Sequence, residues 1–321
     1  MDDLNGLRVF LQVVESRSFT AAAARLGVTA SGVSKAIARL EKEYGQRLLD
    51  RTTRSVGLTN DGHAFHERCR QLMADLEEAE NQLTQSATAP RGHLRVHMPT
   101  AFGKKVVLPR LATMMHRVPD LRIDVELGER PIQLAEEGLD AAVRFGHLPD
   151  SGLIAHRLCD VRFVACASPD YLARHGTPGQ PEDLARHICL GYTTPWRSHY
   201  REWSFADADG KPVSLPVSGK LNVNSAEALL DAAMAGSGVA MVSDFVAWDA
   251  VRSGRLRIVL QSFIGPPSPV SVVHMPGRQH SPRVRWFLDT LRAIIPSPAP
   301  WENLGRDAAD GPSAVFPAPR G

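Results

Sequence analysis

Cysteine is scarce in this chain, at four residues, and Cys69, Cys159, Cys166 and Cys189 show no CxxC spacing. That argues against a disulfide scaffold and makes reduced thiols in a cytosolic protein the default, with a redox sensor as the sharper alternative. Long apolar runs are also missing. The uncharged stretch from Ile258 to Gly277 is broken by Pro266, Pro267, Pro269 and Pro276, so it does not read as a membrane span. The start, MDDLNGLRVF, is acidic and has no basic segment ahead of an apolar one, so no signal peptide is expected and a cytoplasmic location is. No GxGxxG, GxSxG, P-loop or HExxH pattern occurs, and no cofactor is expected. His63 and His66 lie close together on a charged segment without a further ligand, and read as solvated rather than metal-binding. A spatial triad of Asp, His and Ser stays open but unmotivated. Finally, the net charge of +2 is too small for bulk attraction to nucleic acid, so any such affinity must come from local clustering.

That clustering exists near the N-terminus. From Ser18 to Tyr44 the chain reads SFTAAAARLGVTASGVSKAIARLEKEY, two helical patterns meeting at Gly27, where a tight turn needs positive φ. Thr20 is placed to cap the first helix, Ala21 to Leu26, and Thr29 the second. In the second, Val33, Ile37, Leu40 and Tyr44 define a buried face, while Ser31, Lys35, Arg39 and Lys42 fall opposite. Short polar side chains at the helix start allow approach to base edges in a major groove, and cations further along reach phosphates. The alternative is a two-helix hairpin with a solvated cationic face. Leu48-Leu49 and Val56 to Leu58 flank a turn and suggest a small β-wing carrying Arg47, Arg51 and Arg54. Between Arg17 and Arg54 eight cations face three acids, the footprint of a duplex-binding module.

This order of apolar first helix, SFTAAAARLGVTASGVSKAIARLE, basic wing and long helix resembles LysR-type transcriptional regulators. The segments LRIDVELGERPIQLAEEGLDAAVRFGHLPDSGLIAHRL, VACASPDYLARHGTP and PEDLARH are similar to that family's effector-binding half, so the resemblance runs to about Ile295. It implies promoter DNA contacts at Ser18, Thr29, Ser31, Ser34, Lys35 and Arg39, with Arg51, Thr52 and Arg54 in the wing. One departure matters: many members carry Gln or Pro where this chain has Ala30. Alanine cannot make a bidentate adenine contact, which leaves base reading to Ser31, Ser34, Lys35 and the wing.

Ahead of these helices, Leu4, Leu7, Leu11 and Val14 form an amphipathic stripe, widened by Phe10 and Val13. From about Thr59 to Gln85, Phe65, Cys69, Leu72, Leu76, Ala79 and Leu83 recur at steps of four and three, a heptad seam on a charged helix. A second copy of the same helix would cover it, giving a homodimer; the alternative is a helix lying on its own domain. A dimer would set two half-sites at fixed spacing.

Beyond the hinge-like SATAPRG, short strands alternate with helices as in an open α/β sheet. Strands are expected at 93–98, 121–127, 141–144, 163–167, 221–223, 239–242 and 270–274, and helices at 104–117, 132–137, 169–175, 225–235 and 283–294. The expected fold is α/β overall, with a winged helix-turn-helix at 1–58 and a linker and dimerisation helix at 59–88. The resemblance implies a two-subdomain, periplasmic-binding-protein-like effector domain at 89–295. Subdomain 1 would span about 89–161 and 266–295, and subdomain 2 about 162–265. Residues 296–321, with six prolines, read as a disordered tail.

Ligands gather beyond the carboxyl ends of strands in such sheets. Three ends are candidates: Pro99, Thr100, Ala101 and Phe102; Gly128 to Arg130 with Arg144 and Phe145; and Asn224 with Ser225. Trp196 and Trp203 lie on an irregular stretch that could close over them. Each has a plainer role available: helix caps for Thr100 and Ser225, an ion-pair partner for Arg144, core filling for the tryptophans. The ensemble suits a small carboxylate effector. The functional expectation is a dimeric or tetrameric DNA-binding regulator with promoter DNA, an effector and RNA polymerase as partners. A solute-binding or enzymatic α/β protein is the alternative.

Overall fold

The computed structural model describes residues 3–51, 56–83, 90–148, 151–193, 202–207, 211–217 and 219–304. The chain falls into two compact units, Met1–Thr88 with Ala135–Gly138, and Ala89–Leu134 with Leu139–Gly321. No helix among the described residues is long and apolar enough to cross a membrane.

In the first unit three helices, α1 (Asp3–Ser16), α2 (Phe19–Leu26) and α3 (Ala30–Tyr44), enclose a core that includes Phe10, Val13, Ala22, Ala23, Val33, Ile37 and Leu40. The alanines of α2 let its neighbours pack closely. Its cap is Ser18, not Thr20: the extended backbone needed at that position belongs to Ser18, whose hydroxyl accepts from the Ala21 N–H at 3.3 Å. Gly27 closes α2 with φ +67°, and Thr29 caps α3 by accepting from the Gly32 N–H at 3.1 Å. The stripe of α1 is rotated from the expected one. Phe10 and Val13 are fully buried whereas Leu4 is exposed, because the Phe10 ring packs against Phe65 at 5.5 Å. Tyr44 also departs: it overhangs the core at the last turn of α3 and is exposed, its ring 5.2 Å from Phe65.

The wing is the antiparallel pair β1 (Leu49–Arg51) and β2 (Val56–Leu58), with Leu49 opposite Leu58. Glu41 on α3 fixes its entry, since its carboxylate accepts from the Leu48 and Leu49 N–H groups at 2.9 and 3.1 Å. Thr59 fixes its exit. Its hydroxyl donates to the Arg47 carbonyl at 2.7 Å and accepts from the Gly62 N–H at 2.9 Å, opening α4 (Asn60–Leu83). The α4 helix is about 36 Å long. Two expected seam members are used up inside the unit: Cys69 is buried in its core and Phe65 packs against it. Leu72, one turn on, is 57% exposed. Leu76 is half-buried, and the side chains of Ala79 and Leu83 lie outside the described residues.

In the second unit β3 (Gly92–Met98) leads into a helical run made of α5 (Thr100–Phe102), a wider turn at Gly103–Val107, α6 (Leu108–Met114) and a tight turn at Met115–Arg117. There follow β4 (Leu121–Leu127), β5 (Ala141–Phe145) and β6 (Ile154–Val161), then β7 (Phe163–Ala167), α7 (Pro169–His175) and β8 (Cys189–Tyr192). A hairpin of β9 (Glu202–Ala206) and β10 (Pro212–Pro216) precedes β11 (Asn222–Val223), α8 (Ala226–Met234), β12 (Val239–Ser243) and α9 (Asp244–Arg252). The unit closes with β13 (Arg257–Val259), β14 (Ser268–His274) and α10 (Pro282–Ile294). One five-stranded sheet has the order β4-β3-β5-β14-β6 and the other β11-β8-β12-β7-β13. The chain crosses between them at Val161–Phe163 and again between Val259 and Ser268. Apolar residues of both sheets meet in one continuous core, with Val96 and Val272 from one and Val164 and Ala240 from the other.

Several expectations need correction here. Turns at residues 134–138 stand where a helix over 132–137 was expected, and Gly138 takes φ +61°, outside the right-handed helical region. The sequence concealed α9, which is buried nearly all round and so carries no amphipathic period. It also concealed β6, an edge strand bearing His156 and Arg157. Residues 296–304 are not a disordered tail: Pro300–Asn303 form a tight helical turn that buries Trp301. The remainder of that segment lies outside the described residues.

Candidate DNA-binding and effector sites

The solvent side of α3 carries Ser31, Lys35, Arg39 and Lys42, all exposed, with Ser34 half-buried beside them. Lys35, Arg39 and Lys42 have no ion-pair partner among the described residues. Three cations on one rigid helix, held off the core by Val33, Ile37 and Leu40, can be given over wholly to phosphates. At the helix start Thr29 is occupied: besides capping, its Oγ1 lies 3.2 Å from the Ser31 hydroxyl. Ser18 is likewise spent on a cap. Glu41, one of the three acids of this region, faces the wing backbone rather than the cationic surface. In the wing, Thr52 and Arg54 lie outside the described residues, as does the Arg51 side chain. Sequence reasoning passed over Val28, an aliphatic residue 50% exposed in the turn ahead of Thr29.

In the second unit β4, β3 and β5 run parallel, so their carboxyl ends lie side by side. The Gly128 N–H donates to the Met98 carbonyl at 3.1 Å, and the Thr100 N–H donates to a Glu129 carboxylate oxygen at 3.0 Å. The free amide at the start of the helical run is thus met by an anion from the chain itself. The third candidate end comes into the same neighbourhood. Lys104, within the run after β3, pairs at 2.6 Å with Glu227 in the first turn of α8, whose cap is Ser225 accepting from the Ala228 N–H at 3.2 Å. Pro99 and Ala101 are half-buried here, and Asn224 is exposed.

Other candidates have different employment. Phe102 is fully buried, set edge-on against Phe145 at 5.5 Å, Phe245 at 5.4 Å and Trp301 at 6.5 Å, so it joins the core instead of lining a pocket. Trp203 sits on β9 and is buried among residues such as Tyr171, Leu184 and Phe205, which makes it a core residue too. Arg144 is half-buried and donates to the Ile132 carbonyl. Arg130 is exposed and paired with Glu126 at 2.9 Å. Trp196 lies outside the described residues. Sequence spacing had no means to reveal Lys104–Glu227, a contact between residues 123 positions apart.

The four thiols are all buried. Burial pushes Cys69 and Cys189 up to about 11 and Cys166 up to about 12, and raises Cys159 further still. A thiol held in its protonated form is a poor nucleophile, which disfavours the redox-sensor alternative.

Comparisons with known proteins agree over about nine-tenths of the chain. Residues 4–63 match the model of the bacterial regulatory helix-turn-helix protein, lysR family, and residues 87–295 match that of the LysR substrate binding domain. An HTH-type transcriptional regulator of Xanthomonas campestris pv. campestris is 37% identical over 90% of this chain and 84% of its own. The regulator CrgA of Neisseria meningitidis serogroup C is 36% identical over 89% of this chain and 94% of its own. The solved structure of CrgA, described as a LysR-type transcriptional regulator, aligns with TM-score 0.59 at 34% identity, covering 90% of this chain and 98% of that one. The full-length virulence activator AphB of Vibrio cholerae aligns with TM-score 0.57 at 25% identity over the same shares.

Proposed function

From the premise that this chain belongs to the LysR family of DNA-binding transcriptional regulators, with a helix-turn-helix domain and an effector-binding domain, we propose how its residues divide the work. The recognition helix α3 enters a major groove. Lys35, Arg39 and Lys42 engage phosphates, Ser31 and Ser34 approach bases, and Arg51, Thr52 and Arg54 of the wing hold the flanking backbone. The observation that carries this is the cationic face of α3, without ion-pair partners among the described residues, standing on the buried face of Val33, Ile37 and Leu40.

Two copies pair through α4, with Leu72 and Leu76 at the contact, and the pair presents two recognition helices to successive grooves. Dimers pairing again would give a tetramer. The domain boundaries are those read from the sequence, except that the effector domain extends to Leu304. The effector is a small carboxylate bound near Thr100, Gly128, Lys104 and Ser225. There it competes with Glu129 and Glu227 for the donors these residues now satisfy. It shifts transcription only as far as it binds one arrangement of the two sheets better than the other. The protein acts in the cytoplasm as a regulator rather than an enzyme, and RNA polymerase is a further partner.

Gel retardation with the DNA upstream of the chain's own gene tests the first part. Retardation at moderate salt is expected, with Lys35→Ala weakening it and flattening its salt dependence by about one ion. A chain that shifts no DNA would instead favour the solute-binding alternative. Thermal shift against a panel of carboxylates tests the effector, and no shift with any member would count against that class.

A further inference from the structure

We propose that the turn and first residue of the recognition helix read thymine C5-methyl groups in the major groove, with Val28 and Ala30 as the reading side chains. This rests on the reading above that α3 enters that groove.

Three observations point the same way. Most aliphatic side chains of the three-helix core are buried, Val9, Val13, Val33, Ile37 and Leu40 among them, yet Val28 stands 50% exposed immediately before the capping Thr29. Its position is set by the backbone: Gly27 takes the left-handed conformation and the Val28 N–H donates to the Ala23 carbonyl at 3.1 Å. The valine is therefore presented to solvent by a fixed turn. Next, the polar groups around it are partly spoken for. The Thr29 hydroxyl serves Gly32 and Ser31, and Ala30, also exposed, has no hydrogen-bonding group to offer. Finally, Lys35 and Arg39 lie further along the same helix without ion-pair partners among the described residues, so phosphate contacts there would seat its N-terminal end deepest against the bases.

Among the four bases only thymine puts a methyl group into the major groove, and small apolar side chains are its ordinary partners. An aliphatic pair flanked by cations complements that groove: phosphates for the charges, thymine methyls for the carbons. A single exposed valine is unremarkable on most surfaces. Here it stands on a fixed turn two residues ahead of the exposed Ala30, at the end of the recognition helix set toward the bases, and methyl contact adds an apolar readout beside Ser31 and Ser34.

The test uses the full-length chain. Footprinting on the upstream DNA first locates the protected half-sites. Duplexes are then made with single thymines in the site replaced by deoxyuridine, which removes the methyl and keeps every hydrogen-bonding group. One or two replacements per half-site are expected to weaken binding about fourfold, the scale of one buried methylene. Val28→Ala should cost a similar factor on the thymine duplex and almost nothing more on the deoxyuridine one, since both remove the same contact. Its melting temperature should match the parent, because half the side chain is in water already. Uniform affinity across all deoxyuridine duplexes would overturn the inference, as would losses that simply multiply. If Lys35→Ala leaves binding to both duplexes untouched, or no DNA is protected, the placement of α3 is wrong and methyl reading goes with it.

Discussion

The indole N–H of Trp301 donates to the carbonyl of Asp160 at 3.0 Å, joining the end of the described chain to the strand that passes from one sheet to the other. Neighbouring residues reinforce the tie. A Glu302 carboxylate oxygen accepts from the Asp160 and Ala299 N–H groups at 3.3 and 3.0 Å, and the Glu302 carbonyl accepts from the Arg162 guanidinium at 2.9 Å. The Trp301 ring completes an aromatic cluster with Phe102 and Phe245, which stand on helices associated with different sheets.

Removing that anchor should therefore loosen the second unit as a whole. Trp301→Ala is expected to cost about 3–5 kcal/mol, the range for a large buried aromatic. Trp301→Phe keeps most of the packing and loses the donor, so about 1–2 kcal/mol is expected. Urea denaturation followed by circular dichroism measures both. Unchanged midpoints for the alanine variant would mean that residues 296–304 merely rest on the surface.

Asp244 gives a pH signature at the same crossing. It is 1% exposed, and burial pushes its carboxyl up to about 7, against the opposing influence of the Arg162 and Phe245 N–H groups and the Arg162 charge. Glu302 adds to the rise. A carboxyl raised on folding binds its proton more tightly in the native state. Its contribution is thus fully present below about pH 4 and is lost as pH climbs toward 7, at about 1.4 kcal/mol per unit. Melting temperatures of the parent should fall across that interval relative to those of Asp244→Asn, which cannot titrate. Parallel curves would show that this carboxyl does not titrate there.

A second buried carboxyl lies in an ion-pair cluster. Asp140 accepts from the Arg95 N–H at 2.9 Å and lies 3.3 and 3.7 Å from the guanidinium groups of Arg283 and Arg278, all three ionic side chains being buried. Asp140→Ala would take the carboxylate away from the buried Arg283 guanidinium, so a loss of about 3–5 kcal/mol is expected in denaturant melts. A change below about 1 kcal/mol would show that water reaches the cluster.

Leu72 separates the two fates of the linker helix. It is exposed while Phe65 and Cys69 are sequestered within the unit. Leu72→Asp should shift sedimentation from dimer to monomer and weaken operator binding by far more than Lys35→Ala does, leaving the melting of the three-helix core unchanged. A variant that stays dimeric would place the contact elsewhere.

Local rules carried the reading of the first unit a long way. Gly27 and Thr29 sit where backbone sterics and helix capping require them, and the i, i+4, i+7 spacing of Val33, Ile37 and Leu40 found the buried side of α3. The strands Leu121–Leu127 and Phe163–Ala167 were legible from their apolar content and turn boundaries. Where the local rule pointed to Thr20 as a cap, geometry decided for Ser18, because at that end of α2 it is Ser18 that has extended backbone.

What the chain's order of residues determined, then, was the helices of the first unit, the strands and helices with a clear apolar period or turn boundaries in the second, and the concentration of cations on one helix face, since propensity, capping and charge act between near neighbours. Which residues found their partners was decided by the tertiary structure. Phe65 and Cys69 fit a heptad seam yet fill a core, Phe102 and Trp203 suited a pocket wall yet are enclosed, and Lys104 meets Glu227 from 123 positions away. Burial and ion pairing depend on what arrives from elsewhere in the chain, and no periodicity within one segment encodes that.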